Sequence, residues 1–84
     1  MKLLSIAHDP TSGNVVYDFL VNGAVRRYRA NALDQRGIRQ IECAPDLEVL
    51  LLDALTRNVD AVKMLSRVTW DLIDRGDIEL PIEF

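Results

Sequence analysis

The chain has 84 residues, 49% of them apolar and 27% charged, which is the balance of one small globular domain over 1–84 and too hydrophobic for a disordered segment. Thirteen acidic residues against ten basic ones give a formal net charge of −3, which disfavours a protein that wraps nucleic acid through its overall charge and leaves room only for a local basic patch. A lone cysteine, Cys43, excludes an internal disulfide framework and points to a reducing, cytoplasmic setting. No apolar run approaches the length of a membrane span, and the stretch after Met1 and Lys2 is broken by Ser5, His8 and Asp9, too early for a signal-peptide core.

In chain order, Lys2 to His8 suit a first strand, and Asp9, Pro10, Thr11, Ser12 and Gly13 are turn formers. The strongest local signal follows. Asn22 and Gly23 tolerate the positive φ that both central residues of a type I′ turn require, and the flanking residues are strand formers. A two-residue turn here sets Val21 opposite Ala24, Phe19 opposite Arg26, Asp18 opposite Arg27, Tyr17 opposite Tyr28 and Val15 opposite Ala30. One face then carries Val15, Tyr17, Phe19, Val21 and Tyr28, joined by Leu4 and Ile6. The other carries the Asp18–Arg27 pair, Val16, Leu20 and Arg29. A slip of one residue would bury the charges, so pattern and turn agree. The expectation is a three-stranded antiparallel meander over about 2–30.

Leu33, Ile38 and Ile41 are loosely helical in spacing, and a short helix is expected over about 32–42, with Gly37 interrupting it. Pro45 suits a first helical position, and Asp46 and Glu48 suit the positive end of a helix dipole, so a helix is expected over 45–57. Its apolar set, Leu47, Val49, Leu50, Leu51, Leu52, Ala54 and Leu55, is broad enough to predict a central helix buried on more than one side. A last helix over 59–75 is capped by Asn58 and ended by Gly76. Val62, Leu65, Thr69, Leu72 and Ile73 form its stripe, and Asp60–Lys63, Arg67–Asp71 and Asp71–Arg75 are its charge pairs. The tail from Asp77 to Phe84 alternates apolar and acidic residues and is expected to extend, returning as a fourth edge strand or docking on a partner. The fold class is therefore α+β.

No residue set calls for catalysis, a cofactor or a metal. Ser5, His8 and Asp9 are close on a strand whose side chains alternate between faces. Cys43 has no histidine near it in sequence, and the two soft ligands His8 and Cys43 have no partners at ligand spacing. The four glycines are isolated, so no phosphate-cradling loop is written.

The cluster Arg26, Arg27, Tyr28, Arg29 is the candidate charged surface, since arginines beside an aromatic pair with phosphates and stack on bases. The register splits it, leaving Arg27 and Arg29 together on one face. The apolar tail residues Ile78, Leu80, Ile82 and Phe84 are the candidate apolar contact. From Ile6 to Arg29, the pattern of Asp9, Pro10, Gly13, Val15, Tyr17, Phe19, Asn22, Gly23, Arg27 and Tyr28 resembles the hairpin of short KTSC-type domains. The likeness covers less than a third of the chain and implies no function.

The function expected is a small non-enzymatic protein-interaction module or accessory subunit, with another protein or a second copy as partner. The alternatives are a nucleic-acid-binding module that uses the Arg27 and Arg29 face, and a small inhibitor of a larger nucleic-acid-processing complex.

Overall fold

A computed structural model describes residues 1–54 and 61–84. It is α+β, with an antiparallel sheet of five strands and two helices on one face. The strands are β1 (Lys2–His8), β2 (Asn14–Val21), β3 (Ala24–Gln35), β4 (Ile38–Cys43) and β5 (Ile82–Glu83), and the helices are α1 (Pro45–Ala54) and α2 (Ala61–Arg75). Spatial order is β4-β3-β2-β1-β5. No helix among the described residues is long and apolar enough to cross a membrane.

The β2–β3 register is the one the Asn-Gly turn predicts, from Val21 opposite Ala24 to Val15 opposite Ala30. Asn22 and Gly23 take φ of 51° and 79°, the left-handed pair of a type I′ turn. Val15, Tyr17 and Phe19 are fully buried beneath the helices. On β1 a bulge between Leu3 and Ser5 shifts the alternation, so Leu3 sits opposite Phe19 and Ser5 opposite Asp18. Leu3, rather than the expected Leu4, is therefore the fully buried member, while Ile6 packs against the core as expected.

The short helix expected over 32–42 does not form. β3 runs on to Gln35, turns at Arg36 and Gly37, and returns as β4, pairing Gln35 with Ile38 through Ala30 with Cys43. Arg36 and Gly37 take φ of 56° and 78°, so this is a second two-residue turn of the same hand as the first. Arginine is an uncommon residue for that conformation, and Gly37 marks a turn instead of a break within a helix.

Pro45 opens α1 as predicted, with the Leu47 amide donating to Asp46 Oδ1 at 3.0 Å and the Glu48 amide donating to the Ala44 carbonyl at 3.0 Å. The expectation of a central helix is overturned. Only Leu47 and Leu51, one turn apart, are buried in α1, whereas Val49 and Leu52 are 57% and 55% exposed. The helix is a surface helix because the sheet offers it a single face. Residues 55–60, including the predicted cap Asn58, the Asp60–Lys63 pair and the ends of the two predicted helices, lie outside the described residues.

In α2, Ala61, Leu65, Val68 and Thr69 are buried, the i, i+4, i+7, i+8 stripe of an amphipathic helix. Val62, Leu72 and Ile73 of the expected stripe are half-buried. Arg75 Nη2 lies 3.3 Å from Asp71 Oδ2, and Gly76 ends the helix with φ 82° and its amide donating to the Leu72 carbonyl at 2.8 Å. The core is Leu3, Val15, Tyr17, Phe19 and Ala30 of the sheet against Leu47, Leu51, Leu65 and Val68 of the helices. At roughly 1.5–3 kcal/mol for each large side chain removed from water, this set is the main stabilising term.

The tail comes back to its own domain. β5 pairs with β1, making it a fifth strand at the sheet edge rather than a fourth, and the Phe84 amide donates to the Met1 carbonyl at 2.9 Å. Phe84 meets Phe19 edge-on at 5.5 Å between ring centroids.

Candidate interaction site

Among the described residues, no other element covers the sheet face opposite the helices, the outer edge of β4, or the Ser5–His8 part of the β1 edge. Alternation along the paired strands puts Val16, Asp18, Leu20, Val25, Arg27, Arg29, Gln40 and Glu42 on the uncovered face.

On that face Arg27 Nε donates to Asp18 Oδ1 at 3.0 Å, and Ser5 Oγ donates to Asp18 Oδ2 at 2.8 Å. Arg27 and then Ser5 hold the Asp18 carboxyl below the usual carboxylate range, and Asp18 in turn raises the Arg27 guanidinium. The charge of Arg27 is thus directed at its own sheet. Arg29 is exposed and makes no ion pair with the described residues. It lines a shallow hollow with Asn14, Asn31, Glu42 and Pro45, where Asn31 Nδ2 donates to Asn14 Oδ1 at 2.9 Å. Arg26 and Tyr28 point to the helix side, Tyr28 reaching Phe19 edge-on at 6.0 Å.

The β4 edge is built by the second turn. In a two-residue hairpin the closing pair, Gln35 and Ile38, exchanges both backbone bonds, and every second pair beyond it does the same. The Ala44 amide, donating to the Arg29 carbonyl at 3.1 Å, continues that series. Ile38, Gln40 and Glu42 therefore spend their backbone groups on β3. Arg39, Ile41 and Cys43 aim theirs outward.

The side chains of these three residues lie on the helix side. Arg39 grips the C-terminal part of α2, Nη1 donating to Asp74 Oδ2 at 2.7 Å, with its guanidinium 4.0 Å from the Trp70 ring centroid and Nε 3.9 Å from Asp34 Oδ2. This contact raises Arg39 and lowers Asp74 from their ordinary values. A groove of about 340 Å³ follows the edge, lined by Ile41, Glu42, Cys43, Glu48 and Val62. Burial, and then the Glu48 carboxylate, push the Cys43 thiol up from its ordinary value, away from the thiolate that nucleophilic chemistry uses.

Ile78, Leu80, Ile82 and Phe84 are half-buried against the core of their own chain, so a partner would meet only their outer sides. Ser5 and His8 fall on opposite faces of the sheet, since Ser5 pairs with Asp18 and His8 with Val15. Asp9 accepts from the Thr11 amide and from Ser12 Oγ, both at 2.9 Å, which closes the turn and lowers its carboxyl. Among the described residues no three of His, Cys, Asp and Glu gather as metal ligands would.

Sequence reasoning missed the edge because it read 32–42 as helix. The signal available was Arg36-Gly37 between two runs containing the strand formers Ile38 and Ile41. No protein-family model matches the chain and no curated protein matches it, so the likeness of its hairpin to KTSC-type domains rests on turn and strand formers alone.

Proposed function

We propose that this chain is a non-enzymatic protein-interaction module that takes a strand of a partner protein onto the outer edge of β4, with the uncovered sheet face beside it as the secondary contact. The observation that carries the reading is the edge itself. β4 is six residues long with no proline, lysine or bulge, its Ile38 is 65% exposed, and its two charged residues are Arg39, tied to Asp74 on the helix side, and Glu42, so the edge carries few of the devices that blunt a strand left to solvent. On the opposite side the edge strand β5 is two residues long, is preceded by Pro81 and covers Lys2 and Leu3 of β1. Strand addition draws affinity from main-chain hydrogen bonds and specificity from alternate side chains, and the groove beside Ile41 and Cys43 gives such side chains a seat.

The test is affinity capture from source cells with the chain and with Ile41→Pro. Ile41 directs its N–H outward, so proline there deletes an edge donor while leaving the β3 ladder its bonds. Loss of the captured protein with Ile41→Pro supports the reading, and capture that is equal for both rejects it. A second reading rests on Arg29, exposed beside Arg27 on the bare face: an acidic partner, nucleic acid included, binds there. Nuclease-sensitive capture that is abolished by Arg27→Glu with Arg29→Glu would favour it over the edge.

A further inference from the structure

We infer that the partner taken up by the β4 edge is a second copy of this chain, paired antiparallel about a two-fold axis at Ile41. This rests on the reading of β4 as an interaction edge and adds to it the identity and register of the occupant.

A two-fold axis normal to the sheet keeps each side chain on its own face, so only residues of like parity pair, and the centre must fall on a residue of the edge. Two central registers qualify. With Gln40 at the axis, Arg39 and Ile41 exchange backbone bonds with their counterparts while the outward groups of Cys43 stay unmatched. With Ile41 at the axis, Ile41 meets itself and Arg39 meets Cys43 of the other copy. The outward N–H and C=O groups of all three residues are then satisfied, since each such pair exchanges two bonds.

The side chains agree with this second register. On the bare face Gln40 meets Glu42, an amide donor opposite a carboxylate, twice by symmetry. On the helix side Arg39 of each copy, its guanidinium held by its own Asp74 and Trp70, lies opposite Cys43 of the other copy, so the backbone pair forms there with no like charge facing it. Ile41 against Ile41 adds apolar contact at the axis, and no like charges stand directly opposite each other. The exposed Ile38 comes beside Ala44 of the other copy. One sheet then runs unbroken through both molecules, ending on either side at the short, proline-flanked β5 and the part of β1 beyond it.

The test is sedimentation equilibrium of the purified chain from ~1 to ~500 μM, the range in which a micromolar dimer dissociates, together with amide hydrogen exchange. The expected result is a monomer–dimer equilibrium with concentration-dependent protection at the Arg39, Ile41 and Cys43 amides. Gln40→Lys, on an exposed position that keeps the fold, should tighten the dimer by placing lysine opposite Glu42. Gln40→Glu should weaken it about tenfold, the equivalent of ~1.4 kcal/mol spread over two like-charge pairs. Weakening by both substitutions would mean that residue 40 faces itself and would overturn the Ile41 register. A chain that stays monomeric throughout the range would overturn the second copy as partner. Capture of a different protein, lost with Ile41→Pro, would then still uphold the interaction edge, so the two readings fail separately.

Discussion

The buried hydroxyl relay between β2 and α2 supports a prediction in which two damaging substitutions repair each other. Tyr17 and Thr69 are both fully buried, with Tyr17 Oη 2.6 Å from Thr69 Oγ1 and Thr69 Oγ1 2.7 Å from the Leu65 carbonyl oxygen. A carbonyl only accepts, so Thr69 donates to Leu65 and its oxygen receives the Tyr17 proton. The order of donation decides the cost of each change. Tyr17→Phe removes the terminal donor and leaves the Thr69 proton satisfied, a net loss of about 0.5–1.5 kcal/mol. Thr69→Val strands the Tyr17 O–H in the core, and leaving a buried group unmatched costs about 1–3 kcal/mol. With both changes no stranded donor remains, and replacing both partners by apolar groups of similar shape is close to neutral. Adding Tyr17→Phe to Thr69→Val should therefore raise stability by about 1–2 kcal/mol. Urea unfolding followed by far-ultraviolet circular dichroism measures all four proteins. A double variant no more stable than Thr69→Val would refute the assigned direction of the relay.

Other consequences are equally direct. Arg36 holds a left-handed conformation that asparagine adopts more readily, so Arg36→Asn should stabilise the β3–β4 hairpin by about 0.5–1 kcal/mol and raise the Tm by ~2–6 °C in calorimetry. Gly13 combines φ of 78° with a site where an added Cβ would lie 2.9 Å from the Ala32 carbonyl oxygen, so Gly13→Ala should lower stability by more than about 1 kcal/mol in the same assay. Burial holds the Tyr17 hydroxyl well above its usual range near 10. Above pH ~10 the unfolded chain loses that proton while the folded one keeps it, so stability present in full below ~10 should decline on further alkalinisation, less so in Tyr17→Phe. Asp9, Asp18 and Asp74 have lowered folded values, so their contributions are complete above pH ~4 and disappear as pH falls through those values. Arg39→Ala should remove the cation from the face of Trp70, the single tryptophan, and alter its emission spectrum, while an unaltered spectrum would deny the stacking.

How much of this was legible in the sequence depends on how strongly each turn is written. Asn22-Gly23 names its turn type through residues that accept positive φ at little cost, and from that single fact the register of β2 on β3 and the separation of Arg27 and Arg29 from Arg26 and Tyr28 follow. Arg36-Gly37 adopts the same geometry with a residue that disfavours it, so local preference pointed elsewhere and tertiary pairing prevailed. Ile38 and Ile41 lie three apart, which suits a helix face, yet in β4 they fall on opposite faces of the sheet, Ile38 bare and Ile41 half-covered. Leu4 lost its expected place to a bulge, a feature of one residue that changes no composition. The broad apolar set of α1 predicts a central helix only if hydrophobic count equals burial; Val49 and Leu52 stay exposed because, among the described residues, one layer lies beneath the helix.

The candidate site followed the same logic. Arginines and an apolar tail are conspicuous in a one-dimensional reading because their side chains announce them. In the fold the Arg27 charge faces Asp18 and the tail lies against its own core, whereas Arg39, Ile41 and Cys43 turn backbone N–H and C=O groups away from β3, a feature with no side-chain signature. An edge exists only once a strand's neighbours are known. The fourth strand and the edge proposed for a partner are therefore hidden together in the sequence, since both depend on the chain reversing at Arg36 and Gly37.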